Sequence, residues 1–132
     1  MKIFRLEEAI AQLPALRPLL ESLVRVRRDL AIALLEADVA SHLDPGRAGG
    51  NPTALRQRRA RELQRELLSL IESIQRYDCV LKDLNLGLVD FPALRGGQVV
   101  NLCWKMDEPT ISFWHGTDEG FAARKSLSKR RT

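Results

Sequence analysis

The residue types best suited to chemistry crowd into one stretch, Asn101 to Arg124, which reads "NLCWKMDEPTISFWHGTDEGFAAR". Cys103 and His115 are both good transition-metal ligands, and Asp118 and Glu119 follow close behind the histidine. The same residues suit a general base, with His115 oriented by Asp118. The segment "GTDEGFAAR" suits an anion loop, its glycines freeing backbone N–H groups and Arg124 acting as the clamp.

Each of these readings meets an objection in the residues themselves. Gln98–Trp104 and Thr110–His115 read as two strands, because β-formers alternate between turn signals. A short connection of about four residues at Met106–Pro109 would pair them so that Val100, Leu102 and Trp104 share an apolar face with Ile111, Phe113 and His115. Cys103 then lies on the opposite face, beside Asn101, Ser112 and Trp114. That separation breaks both a Cys–His metal pair and a Ser–His pair. No CxxC or HxxxH spacing supports a metal either, so neither a metal nor any other cofactor is expected. No lysine follows Gly116 and Gly120 in the spacing of a phosphate-binding loop, and Asp118 paired with Arg124 as a structural clasp is the plainer arrangement. On this register Trp114 leaves the apolar face. It is then either covered by helices or part of an interface.

Two long helices must position this region. From Pro14 to about Leu43 apolar residues recur as Leu16, Leu20, Leu23, Leu30, Leu34 and Ala37, flanked by a second row of Leu19, Val26, Ala33 and Ala40. Pro14 and Pro18 predict that Leu6–Leu13 form a separate short helix or a kinked first turn. "DPGRAGGNP", Asp44 to Pro52, breaks the pattern and offers Asn51 as a helix cap. A second helix follows, with Ala60, Leu63, Leu67, Leu70, Ile74 and Tyr77 on a heptad seam. The pair is an antiparallel hairpin whose first helix is on the order of 40 Å long. Leu88–Phe91 makes a third strand, and Ile3 and Phe4 an edge strand. The fold class is therefore α+β: a long antiparallel helical hairpin with a small carboxy-terminal antiparallel β-sheet. It forms one domain over residues 1–127, with the hairpin at about 14–78 and the β region at about 79–123.

Composition narrows the function classes. With 45% apolar and 29% charged residues the chain is globular, and no run reaches the roughly 18 apolar residues of a membrane span. The net charge of +4 resides in the end of the chain, where Arg124, Lys125, Lys129, Arg130 and Arg131 stand without an acid. Residues 128–132 are expected to be a disordered basic tail, able at most to bind nucleic acid weakly and without sequence preference. The face carrying Arg58, Arg61 and Arg65 is interleaved with Glu62 and Glu66, and reads as a solvated surface. Two cysteines are too few for a disulfide scaffold, and the amino terminus lacks a signal-peptide core, so the cytoplasm is the expected location.

"LEEAIAQLPALRPLL", "LKDLNLGLVDFPA" and "LCWKMDEPTISFWHGTDEGFAAR" together resemble an uncharacterised prokaryotic family, the domain of unknown function 2203. The resemblance runs from about Phe4 to Leu127. It departs at Arg5, where members have threonine, and at Asp107, where they favour glycine. It implies a helical hairpin with a carboxy-terminal β region and supplies no activity, substrate or cofactor. Its polar signature falls on Asp83, Asp90, Glu108, His115, Asp118 and Arg124, as either a buried network or a ligand pocket.

These observations favour a non-enzymatic, cytoplasmic interaction protein that self-associates as a coiled-coil-like homodimer. Leu19, Val26, Ala33 and Trp114 are the expected interface. The alternative is a small-ligand or metal-dependent enzyme with a site around His115, Asp118 and Arg124.

Overall fold

The structure is a computed structural model that describes residues 1–43 and 51–127. The interhelical loop and the basic tail anticipated from the sequence lie outside the described residues. Two helices, α1 (Leu6–Leu43) and α2 (Asn51–Gln75), pack against each other and are followed by a five-stranded antiparallel sheet. Its strands are β1 (Val80–Asp83), β2 (Leu88–Arg95), β3 (Gln98–Lys105), β4 (Phe113–Gly116) and β5 (Lys125–Ser126), in the order of the chain. The α+β arrangement is the one the sequence predicts. Among the described residues no helix is long and apolar enough to cross a membrane.

Helix α1 is 38 residues long, or about 57 Å at the helical rise, and it is unbroken. The separate short helix expected before Pro14 is absent, since Leu6–Leu43 is one helix with Pro14 and Pro18 inside it. Each proline removes an N–H and crowds the carbonyl one turn back, at a cost of about 3 kcal/mol in a helix interior. Both prolines sit on the exposed side, whereas Leu13, Leu16 and Leu20 on the other side are buried. Burial at about 2 kcal/mol per leucine offsets the loss, so tertiary packing overrides the local signal. The first turn is closed by Glu8, whose carboxylate accepts the Arg5 N–H at 2.8 Å. That bond holds the Glu8 carboxyl below its ordinary range.

The buried stripe of α1 runs Ala9, Leu13, Leu16, Leu20, Leu23, Val26, Leu30 and Ala33. This corrects the expected division into seam and flank. Val26 and Ala33, anticipated on a free flank, are buried in the core with Ala60, Leu63 and Leu67 of α2, while Leu34 is exposed. Continuing the three-and-four spacing of Leu16, Leu20 and Leu23 leads to Val26, Leu30 and Ala33, not to Leu34. Leu19 and Trp114 are half-buried against the same core.

One apolar face of the sheet, with Val89, Phe91, Ala93, Val100, Leu102 and Trp104, joins the α1 residues in a single cluster. The sheet is larger than expected. Val80–Asp83 adds a strand beside β2, and Lys125–Ser126 adds one beside β4. Phe4 makes only an isolated parallel bridge to Ala93, its N–H donating to the Pro92 carbonyl at 2.7 Å. At the β1–β2 turn Gly87 has φ of +65°, and a Cβ there would lie 2.7 Å from the Met106 sulfur. Only glycine suits that close approach to the β3–β4 connection.

Candidate functional site

The β2–β3 hairpin turns on Gly96 and Gly97, with φ of 60° and 80°. A two-residue turn of this kind fixes the register, Arg95 opposite Gln98 and hence Asp90 opposite Cys103. On the other side of β3, Asn101 pairs with His115, Leu102 with Trp114 and Cys103 with Phe113. This is the expected register displaced by one residue, and every side chain of β4 changes face. Trp114 joins Leu102 on the helix-facing side. His115 joins Cys103 and Asp90 on the other. The separation of Cys103 from His115 expected from strand alternation is therefore wrong, and with it the geometric argument against a shared ligand.

The displacement originates in the connection between β3 and β4. It spans residues 106–112, longer than the four residues expected, and Ile111 leaves the strand to be buried in the core. Arg17 of α1 holds the connection. Its guanidinium donates to the carbonyls of Met106, of Glu108 at 3.1 Å and of Pro109 at 3.4 Å, and lies 5.0 Å from the centre of the Trp104 ring. Trp104 Nε1–H donates to the Glu108 carbonyl at 3.0 Å.

Asp90, Cys103 and His115 are 1%, 0% and 1% exposed. One atom from each, a carboxylate oxygen, Sγ and a ring nitrogen, lies within 4.8 Å of the other two. His115 Nδ1 lies 2.8 Å from the Gly116 carbonyl, so Nδ1 carries a proton and donates it. Nε2 lies 3.1 Å from each Asp90 oxygen but is aligned for a hydrogen bond only with Oδ1. Among the described residues Asp90 Oδ2 has no hydrogen-bond partner, although it is buried. Burial pushes the Cys103 thiol up to about 12, the Asp90 charge acts in the same direction, and Arg124 opposes them. A buried, protonated thiol is a poor nucleophile. All three side chains are shut off from solvent. A recess of about 250 Å³ lies elsewhere, between Ile3–Leu6 and the Ala93–Arg95 end of the sheet.

The remaining signature residues act as a frame. Asp83 accepts the N–H groups of Asn85 at 2.8 Å and Leu86 at 2.9 Å in the β1–β2 turn. Glu108 accepts the Lys105 N–H at 2.9 Å and pairs with Arg124 Nη2 at 2.7 and 2.8 Å. Arg124 also donates to the Cys103 carbonyl at 3.3 Å and stacks over Phe113 and Phe121. The clasp expected between Asp118 and Arg124 is thus replaced by Glu108–Arg124, because the longer β3–β4 connection brings Glu108 back beside β3. His115 is oriented by Asp90, not by Asp118, which is exposed. The neighbouring Glu119 closes the turn instead, accepting the Gly116 N–H at 2.7 Å and Lys125 at 2.8 Å. These two bonds hold the Glu119 carboxyl below its ordinary range, the lysine acting most strongly.

Sequence reasoning missed Arg17, Glu119 and the place of Cys103 beside Asp90. The last was legible, since the Gly96-Gly97 turn alone sets that pairing. Arg17 left no comparable signal, because its partners are about 90 residues away.

A helical hairpin capped by an antiparallel meander, with a closed Asp–Cys–His cluster on the far face of the sheet, defines the class of this protein. Residues 2–127 match the family described as an uncharacterised conserved protein, DUF2203, and the chain belongs to that family. No curated protein and no solved structure matches it.

Proposed function

We propose that the chain is a self-associating interaction protein whose helical hairpin pairs with a second copy of itself. The observation that supports this is a second, exposed apolar row on α1. Ile32, Leu35, Val39 and Leu43 follow one another at steps of three, four and four and are 49%, 64%, 44% and 81% exposed. A soluble protein exposes such side chains singly. A continuous row of them on one helix face marks a contact surface.

An identical helix suits this row better than an unrelated partner. The row is centred between Ala37 and Asp38, with Ile32 and Leu43 equally far on either side of that centre. When two copies cross antiparallel at that centre, Ile32 of one protomer meets the partner's Leu43, and the two-fold axis repeats the contact. This moves the proposed interface off Val26 and Ala33 and onto the distal half of the same helix. Cys79 and Cys103 are free, buried thiols, which supports a reducing, cytoplasmic setting.

Leu35→Glu tests the proposal, because it places a carboxylate within the paired row of each protomer while leaving the buried stripe untouched. The variant should keep the helical circular dichroism of the wild type and sediment as a monomer. A variant that stays dimeric shows that the stripe is not the interface.

A further inference from the structure

We infer that Asp90, Cys103 and His115 form a binding site for a single zinc-type divalent cation. The reading is independent of self-association.

Three different ligand chemistries converge there from three adjacent strands, each side chain wholly buried. Tetrahedral zinc holds neighbouring ligand atoms about 3.5 Å apart. The three atoms lie within 4.8 Å of one another, and His115 Nε2 is already 3.1 Å from Asp90. Small side-chain adjustments close the set. His115 is presented as a ligand should be, its Nδ1–H donating to the Gly116 carbonyl so that Nε2 faces the cluster.

A second observation points the same way. Among the described residues Asp90 Oδ2 has no hydrogen-bond partner, although it lies 3.1 Å from His115 Nε2. A buried carboxylate oxygen that accepts no hydrogen bond is costly in a dry interior, and ligating a cation offsets that cost. Charge balances as well: a thiolate and a carboxylate cancel the two positive charges. The proton displaced from the Cys103 thiol leaves to solvent as the cation enters. Mixed sulfur, nitrogen and oxygen donors suit zinc or a similar borderline ion and disfavour calcium or magnesium. The competing occupant of Nε2 is a proton, which would make His115 an imidazolium paired with Asp90.

The full chain, purified without chelator, should contain about one zinc per chain by elemental analysis. The metal-free chain, titrated with Co²⁺, should develop the visible bands of a tetrahedral ion and a thiolate-to-cobalt charge-transfer band. Cys103→Ser should remove the charge-transfer band, and Asp90→Asn should lower zinc retention roughly tenfold or more. Chelator should lower the melting temperature of the wild type. The wild-type readings stand even where a variant fails to fold. A folded wild type that carries no zinc, takes up no Co²⁺ and melts identically with chelator overturns the site, leaving the proton as occupant. Metal that remains on a folded Cys103→Ser chain with an unchanged cobalt spectrum also overturns it, since the ion then sits elsewhere.

Discussion

Removing Arg17 should be felt throughout the carboxy-terminal half of the chain. Its guanidinium donates to the Met106 and Glu108 carbonyls and lies over Trp104, so Arg17→Ala takes this donor from both and leaves the Glu108 carbonyl only the Trp104 Nε1–H. A hydrogen bond from a charged group contributes about 1.5–3 kcal/mol, and the site is part-buried, so the lower end applies to each. With about 0.5 kcal/mol for the ring contact, discounted for solvent, the loss is about 3.5 kcal/mol. A domain of this size has on the order of 5–15 kcal/mol in all. At a urea dependence of about 2 kcal/mol per molar the midpoint falls by roughly 1.8 M. Urea denaturation followed by tryptophan fluorescence, at one fixed protein concentration, reads this directly. Arg17→Lys should recover only part, because its ammonium can replace the Nη1 donor but lacks the planar face that lies over Trp104. A midpoint within about 0.25 M of wild type for Arg17→Ala would refute the claim that α1 holds the connection and thereby the register of β4.

Val26→Glu places a carboxylate in the α1–α2 seam, where Val26 is buried; the loss of roughly 2 kcal/mol of burial plus several for the charge should unfold the hairpin, as circular dichroism will show. A folded variant would contradict that placement. A double-mutant cycle on Glu108→Gln and Arg124→Met should return a coupling of about 2 kcal/mol, and additive effects would mean that their pairing contributes nothing. Burial pushes the Cys79 thiol up from 9.0 to about 11, so between those values the unfolded chain has lost a proton that the folded chain keeps. Stability contributed there is complete below pH 9.0 and is lost as pH rises toward about 11; Cys79→Ala should flatten that decline in alkaline melting curves, and an unchanged slope would assign it to other groups.

The hairpin was legible because helical periodicity is a local signal repeated many times. The stripe through Leu16, Leu20 and Leu23 needs no distant information, and neither does the heptad row of α2. The prolines misled because their cost is local and its compensation is tertiary. The sheet was legible in its strands β2 and β3 but not in the phase of β4. Side-chain parity along a strand depends on where pairing starts, and that start is set by a connection tied down from α1 by Arg17. One misplaced residue therefore moved His115 and Trp114 to opposite faces. The choice of Glu119 over Asp118 as the closing acid is of the same kind, since a single turn angle separates them. Asp90 opposite Cys103 was the exception, because Gly96-Gly97 dictates it locally.

The solution mass of the unmodified chain, by sedimentation equilibrium at high micromolar concentration, tests self-association most directly. One chain is 14.9 kDa, and a two-fold pair through the Ile32–Leu43 stripe predicts twice that mass, falling toward the single-chain value on dilution. A mass that stays at 14.9 kDa across the whole concentration range contradicts it.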